Sequence, residues 1–215
     1  MKIYFIILLI LISIGGRAMA VEKAQYEVIK TYDKFELRAY KTQVVAETLV
    51  EGDFNEVGNK AFRILFDYIS GNNTASQKIA MTAPVTQNEV KGSGQKIAMT
   101  APVTQSSTNT NSTNEAYTIR FIMPEDFTLE TTPEPVDNRV SIIEIPEKVF
   151  AAIRYSGRWD QDNYLKQEAI LLKNVNESSL ETIGDPVFAR YNSPFALWFM
   201  RRNEVLIEID VNNQN

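Results

Sequence analysis

The sequence contains no cysteine and no histidine. Without a thiol there is no disulfide, thiolate zinc site, thiolate-held iron-sulfur cluster or cysteine nucleophile. Without imidazole there is no Ser-His-Asp triad and no histidine metal ligand. Carboxylate, lysine, tyrosine and hydroxyl chemistry remain, as does binding without catalysis. Positive charge is also scarce. Lys and Arg number 22 against 27 Asp and Glu, a net charge of −5, and no block of basic residues is present that could follow a phosphate backbone. Nucleic acid is therefore not an expected partner. The remaining composition, 215 residues with 44% hydrophobic and 23% charged, is that of one compact globular domain rather than a fibre or a disordered chain.

One apolar run stands at the beginning. Lys2 is followed by Ile3 to Ile14, broken by Ser13, then Gly15-Gly16 and Ala18-Met19-Ala20. A basic n-region, a short apolar h-region and an Ala-x-Ala site read as a secretory signal over residues 1–20, cleaved after Ala20; twelve residues are few for a bilayer core that takes about 20. The alternative is an uncleaved N-terminal anchor. In either case residues 21–215 are expected to be exported, to the periplasm or the cell exterior, with no transmembrane span left after signal removal. Without Lys2 and Arg17 the remainder carries 20 basic against 27 acidic residues, about −7.

Past the signal, alternation with β-branched and aromatic residues predicts a hairpin: Tyr26, Val28 and Ile29, a turn near Tyr32-Asp33-Lys34, then Phe35 and Leu37. A third strand follows over Val44 to Val50. The period then changes. Asp53 stands as N-cap with Glu56 three residues on, and Asn55, Asn59, Arg63 and Asp67 form a polar stripe opposite Phe54, Ala61, Phe62, Leu65 and Ile69. This predicts an amphipathic helix from about Phe54 to Ser70, stopped by Gly71.

The eleven residues Gln77 to Gln87 return unchanged as Gln95 to Gln105, a period of 18. Within each copy Ile, Met, Ala and Val alternate with Lys, Ala, Thr and Pro, which predicts a strand with one apolar face. The copies either present Met81 and Met99 to a pocket or record a tandem duplication that lengthened a hairpin. Identical sequences leave open which copy belongs to the fold. Ser106 to Glu115, nearly all Ser, Thr, Asn and Glu, reads as a mobile loop. Further strands are expected at Tyr117 to Met123, Val140 to Ile145 and Val149 to Tyr155, the last two flanking a turn at Pro146-Glu147-Lys148.

A fainter repeat appears at a shift of 105. Val44-Val45-Ala46 falls on Val149-Phe150-Ala151, Gly52 on Gly157 and Phe54 on Trp159, each time before a helical pattern. The second helix is expected from about Gln161 to Lys173, capped by Asp160, with Leu165, Ala169 and Leu172 along its apolar face. Strands around Val187 to Tyr191 and Val205 to Ile209 enclose a segment rich in aromatic residues and ending in Arg201-Arg202-Asn203-Glu204.

Four landmarks together resemble the SOUL haem-binding family: Lys78-Ile79-Ala80-Met81-Thr82-Ala83-Pro84-Val85, the strand Tyr117 to Pro124, Phe150 to Gly157, and Tyr191-Asn192-Ser193-Pro194-Phe195 through Arg201-Arg202-Asn203-Glu204. The resemblance spans residues 22–210. It implies an α+β fold, a distorted antiparallel β-barrel built from two pseudo-symmetric β-α-β-β halves with two flanking helices. It also implies haem or another tetrapyrrole as ligand, not covalently attached. Some members of that family bind through a histidine; this chain has none, which leaves hydrophobic enclosure of the ring with Lys or Arg on the propionates.

A small hydrophobic anionic ligand needs an apolar slot rimmed by cations. The first helix offers Phe62, Leu65, Phe66 and Ile69 beside Lys60 and Arg63; the tail offers Phe195, Trp198 and Phe199 beside Arg201 and Arg202. Each set also has a structural reading, as barrel core with solvated charges, or as a barrel end closed by aromatics with Arg202 paired to an acid. Met81 and Met99 are the weak candidates for iron. The alternative is a general apolar-ligand or protein-partner module with no haem role, because the two-half barrel also resembles the effector domains of some bacterial multidrug-responsive regulators. Asp160-Gln161-Asp162-Asn163 lacks the glycine and closing glutamate of a calcium loop. No constellation singles out a catalytic site, and no enzyme is expected.

Overall fold

The computed structural model describes residues 22–75, 77–89, 116–192 and 196–211. The signal-like segment, the second repeat copy with Met99, the segment 106–115 and Phe195 lie outside the described residues.

The strands are β1 (Glu22–Lys23), β2 (Tyr26–Thr31), β3 (Glu36–Tyr40), β4 (Gln43–Glu51), β5 (Thr82–Ala83), β6 (Val85–Glu89), β7 (Ala116–Ile122), β8 (Ser141–Ile145), β9 (Lys148–Tyr155), β10 (Thr182–Arg190) and β11 (Asn203–Ile209). The helices are α1 (Phe54–Ile69) and α2 (Gln161–Glu177), and a 3-10 turn spans Trp198–Met200. Nine strands form one curled sheet in the order β2-β3-β9-β11-β10-β6-β7-β4-β8, and every pairing in it is antiparallel. A separate parallel pair joins β1 to β5.

The strand order is symmetric about the seam between β6 and β10. Reading outwards, β6, β7, β4 and β8 match β10, β11, β9 and β3, so each half runs strand, strand, helix, strand, strand. The outermost strand of each half pairs into the other: β3 lies on β9 and β8 on β4. The 105-residue shift is borne out at the strand-helix junctions. Gly52 and Gly157 both sit at positive φ, +145° and +135°, a conformation that costs glycine least.

Both helices are capped by the expected aspartates. Asp53 accepts from the backbone N–H of Asn55 and Asp160 from that of Asn163, each at 2.8 Å. Glu56 does not reach back to the cap; it pairs with Lys60. Helix α1 buries Phe54, Val57, Ala61, Leu65, Tyr68 and Ile69 against β4 and β7, at the centre of the main core. Helix α2 packs on β9 and β11, runs one turn beyond Lys173, and buries Tyr164, Leu171 and Val175. The expected face of Leu165, Ala169 and Leu172 is therefore a correction: Leu165 is 47% exposed, Ala169 is exposed and Leu172 is half-buried. Tyr164 decides the rotation, because its ring stacks on Phe54 at 5.3 Å while its hydroxyl reaches Pro186 O.

The first repeat copy is not one continuous strand. Gln77 to Met81 is irregular, and the segment turns at the cis Ala83-Pro84 bond, leaving β5 and β6 as short strands on either side. Its second part, β6, fills the seam between β10 and β7, so this copy contributes to the sheet.

Candidate functional site

At about 100° per residue, the buried stripe of α1 leaves two flanks. Gly58, Phe62 and Phe66 lie on one, Lys60, Ile64 and Asp67 on the other, and each flank borders its own groove. The first groove is a cleft of about 60 Å³ among Gly58, Phe62, Gln87, Ile119, Trp159 and Arg190. The second is open and much larger, about 850 Å³, between Leu49 and Val50 of β4 and Lys60, Arg63, Ile64 and Arg139.

Arg190 dominates the cleft. It ends β10, and its guanidinium lies between the rings of Phe188 (4.8 Å) and Trp159 (5.4 Å). Its Nη2 donates to Gln87 Oε1 at 3.0 Å, while Nε is buried and has no partner. Among the described residues no carboxylate pairs with it, whereas Arg38 and Arg202 share Glu204. Burial pushes the guanidinium down to about 10, with Tyr155 opposing and Arg201 reinforcing the shift; it stays charged at neutral pH. Tyr155, raised by the same burial, has an unpartnered buried hydroxyl of its own. Gly58 makes the close approach to the helix feasible. A Cβ there would stand 2.5 Å from Arg190 Nη1.

The Arg-Arg-Asn-Glu tetrapeptide builds the wall beside this cleft and the network behind it. Arg201 lies over the Trp159 ring at 4.1 Å, and its Nε donates to Ala196 O. Asn203 is fully buried; its Oδ1 accepts from Trp159 Nε1 at 2.6 Å and its Nδ2 donates to Gly157 O, which fixes the indole. Glu204, also fully buried, accepts from Arg38 Nη1 (2.7 Å), Arg202 Nη2 (2.7 Å) and Tyr191 Oη (2.7 Å). Burial alone would lower Arg38, but the hydrogen bond and charge of Glu204 outweigh it and raise the group. Arg202 further donates to Tyr26 Oη and lies over the Tyr191 ring. The pairing of Arg202 with an acid, one of the two readings given for it, is present in Glu204.

The structure brings part of the two sequence-derived candidate sets together. Phe62 lines the cleft and stacks on Phe66, which is 47% exposed. Trp159 joins this flank to Arg201 and to the turn that precedes it, where Leu197, Trp198, Phe199 and Met200 are all more than half exposed. Leu65 and Ile69 are in the core and line neither groove, because they face the sheet from the centre of the buried stripe. Lys60 and Arg63 stand at the second groove. Met81 is half-buried against the main core. Among the described residues no cluster of acidic side chains could hold a metal ion.

Trp159, Gln87 and Arg190, which line the cleft, are not among the candidates that the sequence offers. Trp159 showed only as a match in the 105 shift. Nothing in the sequence marks Arg190 as half-buried with its Nε out of water, since arginine is mostly exposed. The one available signal was Gly58 inside a helical pattern, a residue that often marks a close approach.

Structures of similar fold include the C-terminal domain of EcmrR, with a TM-score of 0.56 and 10% identity over 86% of this chain and 98% of that one. An uncharacterized conserved protein from Listeria innocua gives 0.56 and 11%, covering 89% and 94%. A hydrolase from Listeria innocua gives 0.54 and 12%, again covering 89% and 94%. At such identities the likeness shows the fold alone. No curated protein matches the chain. The family model described as SOUL heme-binding protein matches twice, over residues 21–93 and 86–208. The two matches together span most of the chain, and with the two-half antiparallel sheet they establish that it belongs to the SOUL haem-binding family.

Proposed function

We propose that this is an exported, non-enzymatic tetrapyrrole-binding protein of the cell envelope, which holds haem or a related porphyrin loosely for scavenging, transport or buffering. Membership of a haem-binding family supports tetrapyrrole binding. The envelope location rests on the signal-like residues 1–20.

The observation that carries the reading is the apolar surface around the Trp159 cleft. Phe62, in the cleft, stacks on the exposed Phe66, and Arg201, which lies over the Trp159 ring, follows a turn in which Trp198 and Phe199 are more than half exposed. Soluble proteins seldom expose aromatic side chains in such number without a binding role. A cleft of about 60 Å³ cannot enclose a macrocycle; sites that swallow a whole drug-sized ligand run to ~300–1,000 Å³. The ring fits as a plate lying on the exposed aromatics, with its carboxylates directed to the cations at the edge. With no histidine or cysteine in the sequence, face contact and propionate pairing carry the affinity rather than an axial bond.

The second groove favours a second reading, a general apolar-ligand or protein-partner module with no haem role, since it is larger and has Leu49, Val50 and Ile64 between Lys60, Arg63 and Arg139. Haemin titrations of variants separate the two. Phe66→Ser and Trp198→Ser are expected to weaken haemin at least tenfold while Leu49→Ser leaves it unchanged. The reverse pattern moves haemin to the second groove, no effect from any of the three removes both grooves as its site, and the reading without a haem role predicts no saturable haemin binding even by the unaltered protein.

A further inference from the structure

We infer that Arg190 is the receptor for one carboxylate of the bound ligand, so that the protein selects apolar molecules that carry a free carboxylate and rejects their neutral counterparts. The inference deepens the tetrapyrrole reading and rests on it.

Three observations converge on this position. The guanidinium is held in an apolar and aromatic cleft with a neutral acceptor, Gln87 Oε1, and no carboxylate partner among the described residues. Its Nε is buried and unpartnered, and the nearby Tyr155 hydroxyl is in the same condition, so two donors are already desolvated and await an acceptor. Native structures rarely leave such groups unsatisfied. The backbone makes a concession to keep the charge there: Gly58, in the interior of α1, stands where any Cβ would meet Arg190 Nη1, although glycine in a helix interior costs about 1 kcal/mol relative to alanine.

The size of the cleft gives the ligand class. At about 60 Å³ it admits a carboxylate head and not a ring, and it opens beside the flank that carries Phe62 and Phe66. A ligand lying on those aromatics therefore places one acid group inward. The counter-charge supplied by a carboxylate would face a cation that water screens weakly, which is where a charge-assisted pair contributes most.

The test compares protoporphyrin with free propionates to its dimethyl ester, both delivered from the same dimethyl sulfoxide stock, read by tryptophan quenching of the purified protein. The ester is expected to bind at least tenfold more weakly. Arg190→Met is expected to bring acid and ester to within about threefold of each other. Gly58→Ala, which displaces the guanidinium without removing it, is expected to narrow the gap in a chain that keeps its charge, while Lys173→Ala, an exposed cation on the second helix, leaves the gap intact. Equal binding of acid and ester by the unaltered protein overturns the inference and leaves the tetrapyrrole reading standing. A gap that survives in both Arg190→Met and Gly58→Ala also overturns it. Absence of binding by both porphyrins overturns the inference and the tetrapyrrole reading together.

Discussion

Glu204 is the carboxylate on which β3, β11 and the Tyr191 segment converge, and two guanidiniums depend on it. Removing one partner of a buried charge set leaves the others uncompensated, at a cost of about 3–5 kcal/mol. Glu204→Ala is therefore expected to lower the urea midpoint severely, and Arg38→Ala to follow it; Lys34→Ala, an exposed residue whose partner Asp33 is more exposed still, should change nothing measurable. Buried tyrosines set the alkaline limit. Burial pushes the Tyr40 and Tyr68 hydroxyls up from 10 to about 12. A folded pKa above the unfolded one means that the unfolded chain loses its proton first, so this stability is complete below pH 10 and is lost as pH rises to 12. Arg190, pushed down, works in the opposite sense but is one group against four raised tyrosines, Tyr40, Tyr68, Tyr155 and Tyr191. Urea melts at pH 9, 10 and 11 should show a falling midpoint, and Tyr68→Phe, which removes the hydroxyl bonded to Pro133 O, should flatten the fall. A midpoint unchanged over that range would contradict the assignment. At this scale the sequence revealed that Arg201 to Glu204 mattered, but the four residues do four different things, and their partners Trp159, Ala196, Tyr26 and Arg38 are 5 to 176 positions away.

Helices and strands were more legible than side-chain roles, because caps and periodicity are local. Asp53 and Asp160 open their helices where expected, and the hairpin β2-β3 follows its alternation. What failed was rotation and continuity. The apolar face of α2 was placed on Leu165 because leucine outranks tyrosine in any hydrophobic count, yet a tyrosine that finds an acceptor for its hydroxyl goes inside. Leu171→Ala is accordingly expected to cost about 2–5 kcal/mol, and Leu165→Ala less than about 0.5 kcal/mol; equal losses would return the helix to the rotation read from sequence. On α1, Gly58→Ala tests a related point. A mid-helix glycine replaced by alanine ordinarily stabilises, but here the added Cβ meets the Arg190 guanidinium, so the thermal midpoint is expected to fall. A rise would mean that the guanidinium moves aside at no cost.

The whole molecule is two interlocked halves whose seam is β6 against β10, and Arg190 and Gln87 stand at that seam. The pseudo-symmetry was legible at four positions in 105, chiefly the paired glycines, because side chains have diverged while the strained junctions have not. The exchange of outer strands was not legible, since pairing between β3 and β9 or β4 and β8 is a long-range event that local pattern does not encode. The seam strand comes from the first repeat copy. Excising one 18-residue period, by removing either copy with its connector, gives the same shortened chain. That chain is expected to fold with its sheet intact and to melt within a few degrees of the parent; failure to fold would show that both copies are needed. The most direct measurement is a titration with haemin and metal-free protoporphyrin in parallel, followed by Soret absorbance and tryptophan quenching. A histidine-free aromatic site predicts saturable one-to-one binding of both, with similar affinity, since the iron contributes little. Non-saturating, aggregate-like uptake of haemin with no response to protoporphyrin would contradict it.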